Sequence, residues 1–406
     1  MKASDTAMVI DKKNNRFLLI LILGSLTTIG PLSIDMYLPA FEEISIGLNT
    51  DINHISLSLS SFFIGLAVGQ LFYGPMLERF GRKKPVYVGL GLYVLASIGC
   101  AFSTSVEGLI AFRFFQALGS CAGMVSSRAI VRDLFTTKEM AKVFSMLMMV
   151  IAVSPIIAPT AGGYVTASLG WRAVFGVLIV LSVMVLVSCI FWLPESKKAD
   201  PSYSLKPRKI LRNYIDIFKD KQFLVFAFTG AIAYAGLYAY LSGSPYLFMQ
   251  LFNVSEKEYG LIFAIIAAGL ISASQINNLL LRKLRSERII LFSLMAQSVI
   301  GIGLLVVTYL NLSGLYLTTS LIFGYLFFLG FIFPNSSALS LATLGHTAGN
   351  ASALMGSLQM VVGALASALV SILQSDSAMP MAAVMALCST AALFLLSFGS
   401  RRLVLG

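Results

Sequence analysis

One acidic residue, Asp35, stands deep inside an apolar segment that runs from Phe17 to Ala40. Moving an ionised carboxylate into hydrocarbon costs on the order of several kcal/mol, so an acid inside a membrane span usually faces a water-filled cavity or a basic partner. Such a group can exchange a proton. We interpret Asp35 as a candidate functional acid; the alternatives are a structural acid paired with a cation and an acid that reaches the nearby interface.

Arg113 is a cation that could meet this acid. It lies about one to two helical turns from the outer end of another apolar segment, and Asp35 lies about five residues, or ~8 Å, from the outer end of its own. The two side chains could therefore share one depth. Arg113 is a candidate for a role in proton exchange or, alternatively, for a fixed counter-ion of Asp35.

Apolar segments must position these two side chains. Hydrophobic residues make up 57% of the 406 residues and charged residues only 12%, whereas soluble domains carry about 25% charge. A membrane-spanning helix needs roughly 20 apolar residues. We predict an all-α polytopic membrane protein with twelve spans, at 17–40, 53–76, 85–103, 107–129, 141–166, 172–193, 223–249, 258–281, 289–310, 314–342, 348–374 and 379–400.

The basic residues predict the orientation of these spans. Lys and Arg are enriched in cytoplasmic loops, and 26 of the 29 fall on one side if the N-terminus is inside. Only Arg172 and Lys257 fall in outer loops. We predict that both termini are cytoplasmic and that this placement, rather than nucleic acid as a partner, explains the net charge of +11.

The remaining reactive residue types do not form a catalytic or metal-binding set. Four cysteines are scattered without paired spacing, and His54 and His346 are predicted on opposite sides of the membrane. An enzyme would require a nucleophile with a base, or a set of metal ligands. We therefore expect no enzymatic activity, no metal and no cofactor.

A glycine-rich charged stretch follows the second span. The matched positions are Gly74, Arg79, Gly81, Arg82 and Lys83, with Glu78 where an Asp is usual. This stretch resembles the loop 2–3 signature of the major facilitator superfamily. The resemblance implies twelve helices in two pseudo-symmetric six-helix halves, and a charge cluster that latches the halves on the cytoplasmic side and releases during transport.

Two further stretches resemble motifs of the same superfamily. Around Arg113, the sequence through Gln116 is similar to the span-4 motif, in which the resemblance implies proton handling for the arginine. In span 5, the resemblance is to the motif of drug/proton antiporters; a kinked packing helix is the alternative interpretation. The matching residues of span 5 are Pro155, Pro159, Gly162 and Gly163.

A charged segment at 194–222 separates the predicted N-terminal half, 1–193, from the C-terminal half, 223–406. Internally repeated transporters bind their substrates between the halves. Aromatic, methionine and amide side chains could line such a cavity, although ordinary helix packing is the alternative for each. The candidates are Tyr37, Gln116, Met149, Tyr234, Tyr238, Asn335 and Gln359.

The stretches Asp35–Pro39 and Gly69–Pro75 narrow the resemblance to the bicyclomycin- and chloramphenicol-resistance type of drug/proton antiporter, the Bcr/CflA family. The resemblance implies multidrug efflux across the bacterial inner membrane by alternating access, driven by the proton gradient. Bicyclomycin and the chloramphenicol/florfenicol class are the implied substrates. A monomer in the lipid bilayer suffices for this mechanism.

Two other functions fit the sequence. A proton symporter or exporter of a small metabolite would share the same architecture, although an apolar cavity without a second embedded acid favours a lipophilic substrate. A membrane sensor that does not transport would not need two similar halves.

Overall fold

The computed structural model describes residues 13–203, 205–344, 348–373 and 377–404. This part of the chain contains helices and no strands, and twelve of the helices are long and apolar enough to cross a membrane. The predicted all-α class and the twelve spans are confirmed. The helices are α1 Lys13–Asp35, α2 Ile52–Phe80, α3 Lys83–Ala101, α4 Val106–Leu134, α5 Thr137–Leu169, α6 Trp171–Trp192, α7 Lys221–Pro245, α8 Glu256–Leu280, α9 Ser286–Tyr309, α10 Leu315–Leu341, α11 Ala348–Ile372 and α12 Met379–Val404.

Shorter elements extend or connect these helices. A 3-10 turn at Leu38–Ala40 and a helix at Phe41–Gly47 continue α1, and a π-helical turn at Tyr246–Leu251 continues α7. Pro245 is the last residue of α7, and Pro39 lies within the 3-10 turn after α1; proline lacks the amide hydrogen that would continue a helix ladder. The connection between α6 and α7 contains one helix, Pro207–Ile217, which we call the linker helix.

The spanning helices pack as two groups of six. In the first half, α2 packs on α4 and α1 packs on α5; in the second half, α7 packs on α11 and α12. Two helix pairs form the main contact between the halves, α2 with α11 and α5 with α8. The cavity described below lies between these two pairs.

The two ends of the bundle differ in what they carry. We call the end with residues 13, 404 and the linker helix the terminal face, and the end with Phe41–Gly47 the opposite face. At the opposite face the halves touch closely: Ser60 donates a hydrogen bond of 2.9 Å to Ser367, and the hydroxyl groups of Ser56 and Ser371 are in contact. These contacts close the opposite face between α2 and α11.

Candidate functional site

A cavity of about 300 Å³ lies between the two halves. Helices α1, α2, α4 and α5 line it from the first half, and α7, α8, α10 and α11 line it from the second. Its wall is mainly apolar, with a few polar groups, which is typical of a site for a small lipophilic molecule. We call it the central cavity.

Asp35 lines the central cavity at the end of α1. Its side chain is 7% exposed, and no residue in the described ranges forms an ion pair or a side-chain hydrogen bond with it. Pro31, one turn earlier, also lines the cavity and removes one helix hydrogen bond at this depth. The carboxylate therefore faces the central cavity and has no basic partner in the described part of the chain.

An aromatic wall from the second half faces Asp35 across the cavity. Tyr234 and Tyr238 both line it, with ring centroids 5.6 Å apart, and Tyr234 also lies 4.9 Å from Phe333. Gln359 lines the cavity beside them. The structure thus brings three of the predicted cavity residues, Tyr234, Tyr238 and Gln359, into one cavity with Asp35.

Arg113 does not pair with Asp35. It is fully buried inside the first half, where Nη1 donates to the Ser33 carbonyl at 3.0 Å and to Oε1 of Gln116 at 2.6 Å. The predicted meeting of the two charges is wrong because Arg113 binds at Ser33, whereas Asp35, two residues later, lies about 160° around α1 from that position. The cation therefore contacts the packed side of α1 and the acid contacts the cavity side.

Two residues predicted for the cavity instead belong to the surroundings of Arg113. The Arg113 guanidinium lies over the rings of Tyr37 and Phe62, at 4.3 and 4.2 Å from their centroids. Tyr37 and Ser58 share a hydrogen bond of 2.8 Å, and Gln116 donates to Ser97 at 2.8 Å. Tyr37 and Gln116 thus hold the arginine rather than line the cavity.

The last two predicted lining residues also lie elsewhere. Asn335 is buried within the second half, where it donates to the side-chain oxygen of Asn277 at 2.7 Å. Met149 is 63% exposed and is not among the residues that line the cavity. Both corrections have one cause: the residue type identified a span, but the rotation of the helix decided which neighbour the side chain faces.

The span-5 motif joins three helices. Pro155 lines the central cavity, and the Pro159 carbonyl would lie 2.9 Å from a Cβ atom at Gly260 of α8. A Cβ at Gly162 would overlap the Met36 carbonyl after α1, and one at Gly163 would overlap the Glu256 carbonyl of α8. The two adjacent glycines therefore admit a backbone from each half.

The loop 2–3 cluster differs from its predicted role. Arg82 is buried and binds Asp133 of α4 with two hydrogen bonds, at 2.7 and 3.2 Å, and Glu78 at 3.1 Å. Glu195, just after α6, accepts from the backbone N–H groups of Arg82 and Lys83.

All described partners of this cluster lie in the first half or in the connection that follows it. Lys197 pairs with Glu78, and Arg79 donates to the Tyr203 carbonyl at 3.3 Å. The predicted latch between the halves is therefore not formed here; instead the cluster ties the connection to α2. Gly81 has φ of +83°, which explains the glycine, whereas a Cβ at Gly74 would meet no atom within 4 Å.

One cavity residue, Arg128, was interpreted from the sequence only as a loop cation. It lines the central cavity from α4, six residues before that helix ends. This position is ~9 Å above the helix end, deeper than an interfacial anchor requires. The predicted span ended at residue 129, one residue after Arg128, so this depth could not be recognised from the sequence. Among the described residues, no group of His, Cys, Asp or Glu could hold a metal ion.

Comparison with known proteins gives one family. A sequence model of the major facilitator superfamily matches residues 23–367. The chain is 33% identical to the uncharacterised transporter YdgK of Bacillus subtilis, over 91% of this chain and 92% of that protein. It is 30% identical to a bicyclomycin resistance protein homolog of Haemophilus influenzae, over 93% and 95% of the two chains.

A third relative and a solved structure agree with this family. Multidrug resistance protein MdtL of Shigella flexneri is 29% identical, over 60% of this chain and 61% of its own. A crystal structure of a D-xylose-proton symporter has the same fold, with a TM-score of 0.73, 13% identity, and coverage of 94% of this chain and 97% of that one.

Proposed function

The chain belongs to the major facilitator superfamily and is a membrane transporter rather than an enzyme, and we propose that it exports small amphipathic drugs in exchange for protons. The bacterial inner membrane is the proposed location. Because the single chain lines the whole central cavity, a monomer suffices for this activity. The proton gradient supplies the energy, so no cofactor is required.

Asp35 in the central cavity is the observation that carries the proposal. It is a carboxylate without an ion-pair partner in the described part of the chain, and it lines the same cavity as the aromatic wall. A carboxylate in such surroundings changes charge at little structural cost, because no salt bridge has to break. Proton binding and drug binding can therefore exclude one another in one cavity.

The proposed cycle uses alternating access to this cavity. In the state with the opposite face closed, ionised Asp35 would favour a drug that enters from the terminal face. After the halves rock, protonation of Asp35 from the other side would favour release and reset the carrier. The close contacts of α2 with α11 and of α5 with α8 support a closed opposite face in the present state.

The proposed substrates are bicyclomycin and the chloramphenicol/florfenicol class. Two facts support them: the wall of the central cavity is mainly apolar and aromatic, and relatives are named for bicyclomycin resistance and for multidrug resistance. Export of these drugs requires the terminal face to be cytoplasmic. The concentration of Lys and Arg at that end supports this orientation.

Substrate-evoked proton movement in inverted membrane vesicles tests the proposal. Chloramphenicol, florfenicol and bicyclomycin are added in turn to vesicles with an imposed proton gradient, and the interior pH is followed with a fluorescent dye. The native chain should release protons from the vesicle on drug addition. The Asp35→Asn variant should not, because it cannot change charge.

Asp51→Asn is the matched control, since Asp51 is an exposed residue just before α2 and does not line the cavity. It should behave like the native chain. Drug flux without proton movement in the native chain would leave a facilitator, and full proton-driven efflux by Asp35→Asn would remove Asp35 from the coupling step. Protons that move in the same direction as the drug would indicate a symporter.

A further inference from the structure

A second cavity, of about 210 Å³, lies between the halves near the terminal face. The first half contributes Gln70 of α2, Arg128 and Arg132 of α4, and the second half contributes Gly349 and Ser352 of α11. We call it the inner cavity. Arg128 lines both the inner cavity and the central cavity, so the two spaces meet at its side chain.

The two arginines concentrate positive charge at this point. Arg128 and Arg132 are one helical turn apart, a spacing at which like charges repel and destabilise a helix. Neither forms an ion pair with any carboxylate among the residues described by the structure. The neighbouring acid Asp133 is already bound to Arg82.

Other groups around the inner cavity also suit a negative ligand. Gln70 is 4% exposed, lines the cavity, and has no side-chain hydrogen bond to any residue that the structure describes. Gly349 belongs to the first turn of α11, where the helix dipole has its positive end. The Ser352 hydroxyl lies one turn further along the same helix.

Because Arg128 lines both cavities, their arrangement indicates the shape of a ligand that would occupy both. An apolar body in the central cavity would contact the aromatic wall, and its other end would reach Arg128. A guanidinium presents a fork of donors that matches a carboxylate with two parallel hydrogen bonds. Gln70 is buried and has no side-chain partner among the described residues, so it favours a ligand that supplies one.

We propose that the inner cavity binds the anionic end of an amphipathic substrate, a carboxylate held by Arg128, with Arg132 and Gln70 beside it. This inference rests on the proposed transport function and adds a second substrate class to the drugs proposed above: organic acids with an apolar body. Asp35 and Arg128 then act at separate points of one substrate path, the first in coupling and the second in recognition of charge.

Binding of a matched pair of small probes tests the proposal. 4-Phenylbutyrate and its uncharged amide share one apolar body, and their affinities for the purified full chain in a neutral detergent are measured by calorimetry. The native chain should bind the acid at least about tenfold more tightly, because a hydrogen bond between two charged groups is stronger than one to the neutral amide. Equal affinities for acid and amide would overturn the proposal.

Variants at single arginines identify the group that is responsible for the preference for the acid. Arg128→Gln should remove the preference for the acid and leave the affinity for the amide unchanged, whereas Arg128→Lys, which keeps the charge, should retain part of the preference. Arg172→Gln is the control, because Arg172 stacks on Trp171 and donates to the Ser103 carbonyl at the opposite face. Retention of the full preference in Arg128→Gln would contradict the assignment.

The binding measurements and the proton-movement measurements together separate this inference from the transport proposal. Arg132→Gln provides a second weakening variant if Arg128→Gln does not fold. Acid-selective binding without any drug-evoked proton movement would refute the proton antiport and support the inner site. Proton-coupled drug efflux by a chain that binds acid and amide equally would support the proton antiport and refute the inner site.

Discussion

Arg113 illustrates how this chain accommodates a buried cation without a carboxylate. Two aromatic rings cover the guanidinium and two oxygens accept from Nη1, while Nε and Nη2 have no partner among the described residues. Each cation–π contact is worth up to about 2 kcal/mol when it is desolvated. The flat guanidinium therefore suits a site between two aromatic rings.

Arg82 represents the opposite case, a cation whose carboxylate partners are all in place. Desolvation lowers the pKa of Arg82, but hydrogen bonds and charge from Asp133, followed by Glu78, outweigh it and raise that pKa above its ordinary value. The guanidinium thus stays charged although it is buried. A bidentate pair of this kind depends on the fork of donors as well as on the charge.

We predict that Arg82→Lys lowers the stability of the folded chain by about 1 to 3 kcal/mol. Lysine keeps the charge but cannot bind both oxygens of Asp133 and also reach Glu78. The measurement is the thermal unfolding midpoint in detergent. Arg79→Lys is the control, since Arg79 makes one contact of 3.3 Å, and it should unfold near the native midpoint. An equal loss in both variants would show that the forked geometry is not responsible.

For Asp35 and Arg113, the sequence could indicate how deep each residue lies in the membrane, but not which neighbour its side chain faces. Asp35 was predicted to face a cavity because any embedded acid has few other stable positions, and it does line one. Arg113 was predicted at a similar depth, yet its neighbours depend on how α1 and α4 are rotated. Arg128 was counted with the loop cations because the predicted span ended at residue 129, five residues before α4 ends.

Small residues determine how closely the helices approach one another. A Cβ atom at Gly65 of α2 would lie 2.5 Å from the Phe114 carbonyl oxygen and 2.8 Å from the Ala117 Cβ of α4. At Gly69 it would lie 2.7 Å from the Cβ of Cys121. Without a hydrophobic driving force between helices in lipid, close packing of this kind stabilises a bundle. Gly65 and Gly69 of α2 are therefore explained by packing.

We predict that Gly65→Ala lowers the unfolding midpoint, equivalent to about 1 to 3 kcal/mol, because the new methyl group forces α2 away from α4. The matched control is Gly91→Ala in α3, where a Cβ would meet no atom within 4 Å. Alanine favours helix over glycine, so this control should be neutral or slightly stabilising. A stable Gly65→Ala chain would indicate that the two helices can separate without cost.

Helix positions could be predicted from the sequence, but several helix ends could not. The apolar runs gave all twelve spans, since hydropathy reports the part of a helix that contacts lipid. Helix α2 continues to Phe80 rather than residue 76, and α4 to Leu134 rather than residue 129. Charged turns can leave the hydrocarbon without unwinding. The linker helix was missed because its 11 residues carry no span-length apolar run.

The whole molecule has a closed end and a cavity that leads toward the other end. At the opposite face, hydroxyl contacts join α2 to α11, and glycines bring α5 onto α8. The inner cavity lies at the terminal side of the central cavity. Alternating access requires the close contacts at the opposite face to separate, whereas a static channel would not.

We predict that joining residues 60 and 367 stops transport but not binding. The double variant Ser60→Cys/Ser367→Cys replaces two hydroxyl groups 2.9 Å apart, so mild oxidation should form a disulfide in a background without the four native cysteines. Drug efflux should fall to background, and drug affinity should be retained. Reduction should restore efflux.

Ser61→Cys/Ser367→Cys is the control, because the Ser61 hydroxyl donates to the Ile110 carbonyl within the first half. It should not form the disulfide, as measured by the reaction of free thiols with a maleimide. Full efflux by the oxidised Ser60→Cys/Ser367→Cys chain would mean that the opposite face need not open at this point.

The two sides of the central cavity have unequal freedom to change. The strongly ionisable side chains in its described lining, Asp35 and Arg128, come from the first half, and the facing wall of Tyr234, Tyr238 and Phe333 comes from the second. Exchanging one aromatic or aliphatic side chain on that wall alters shape without altering charge. Under selection by a new compound, adaptive substitutions can therefore accumulate in the second half while the ionisable groups of the first are inherited unchanged.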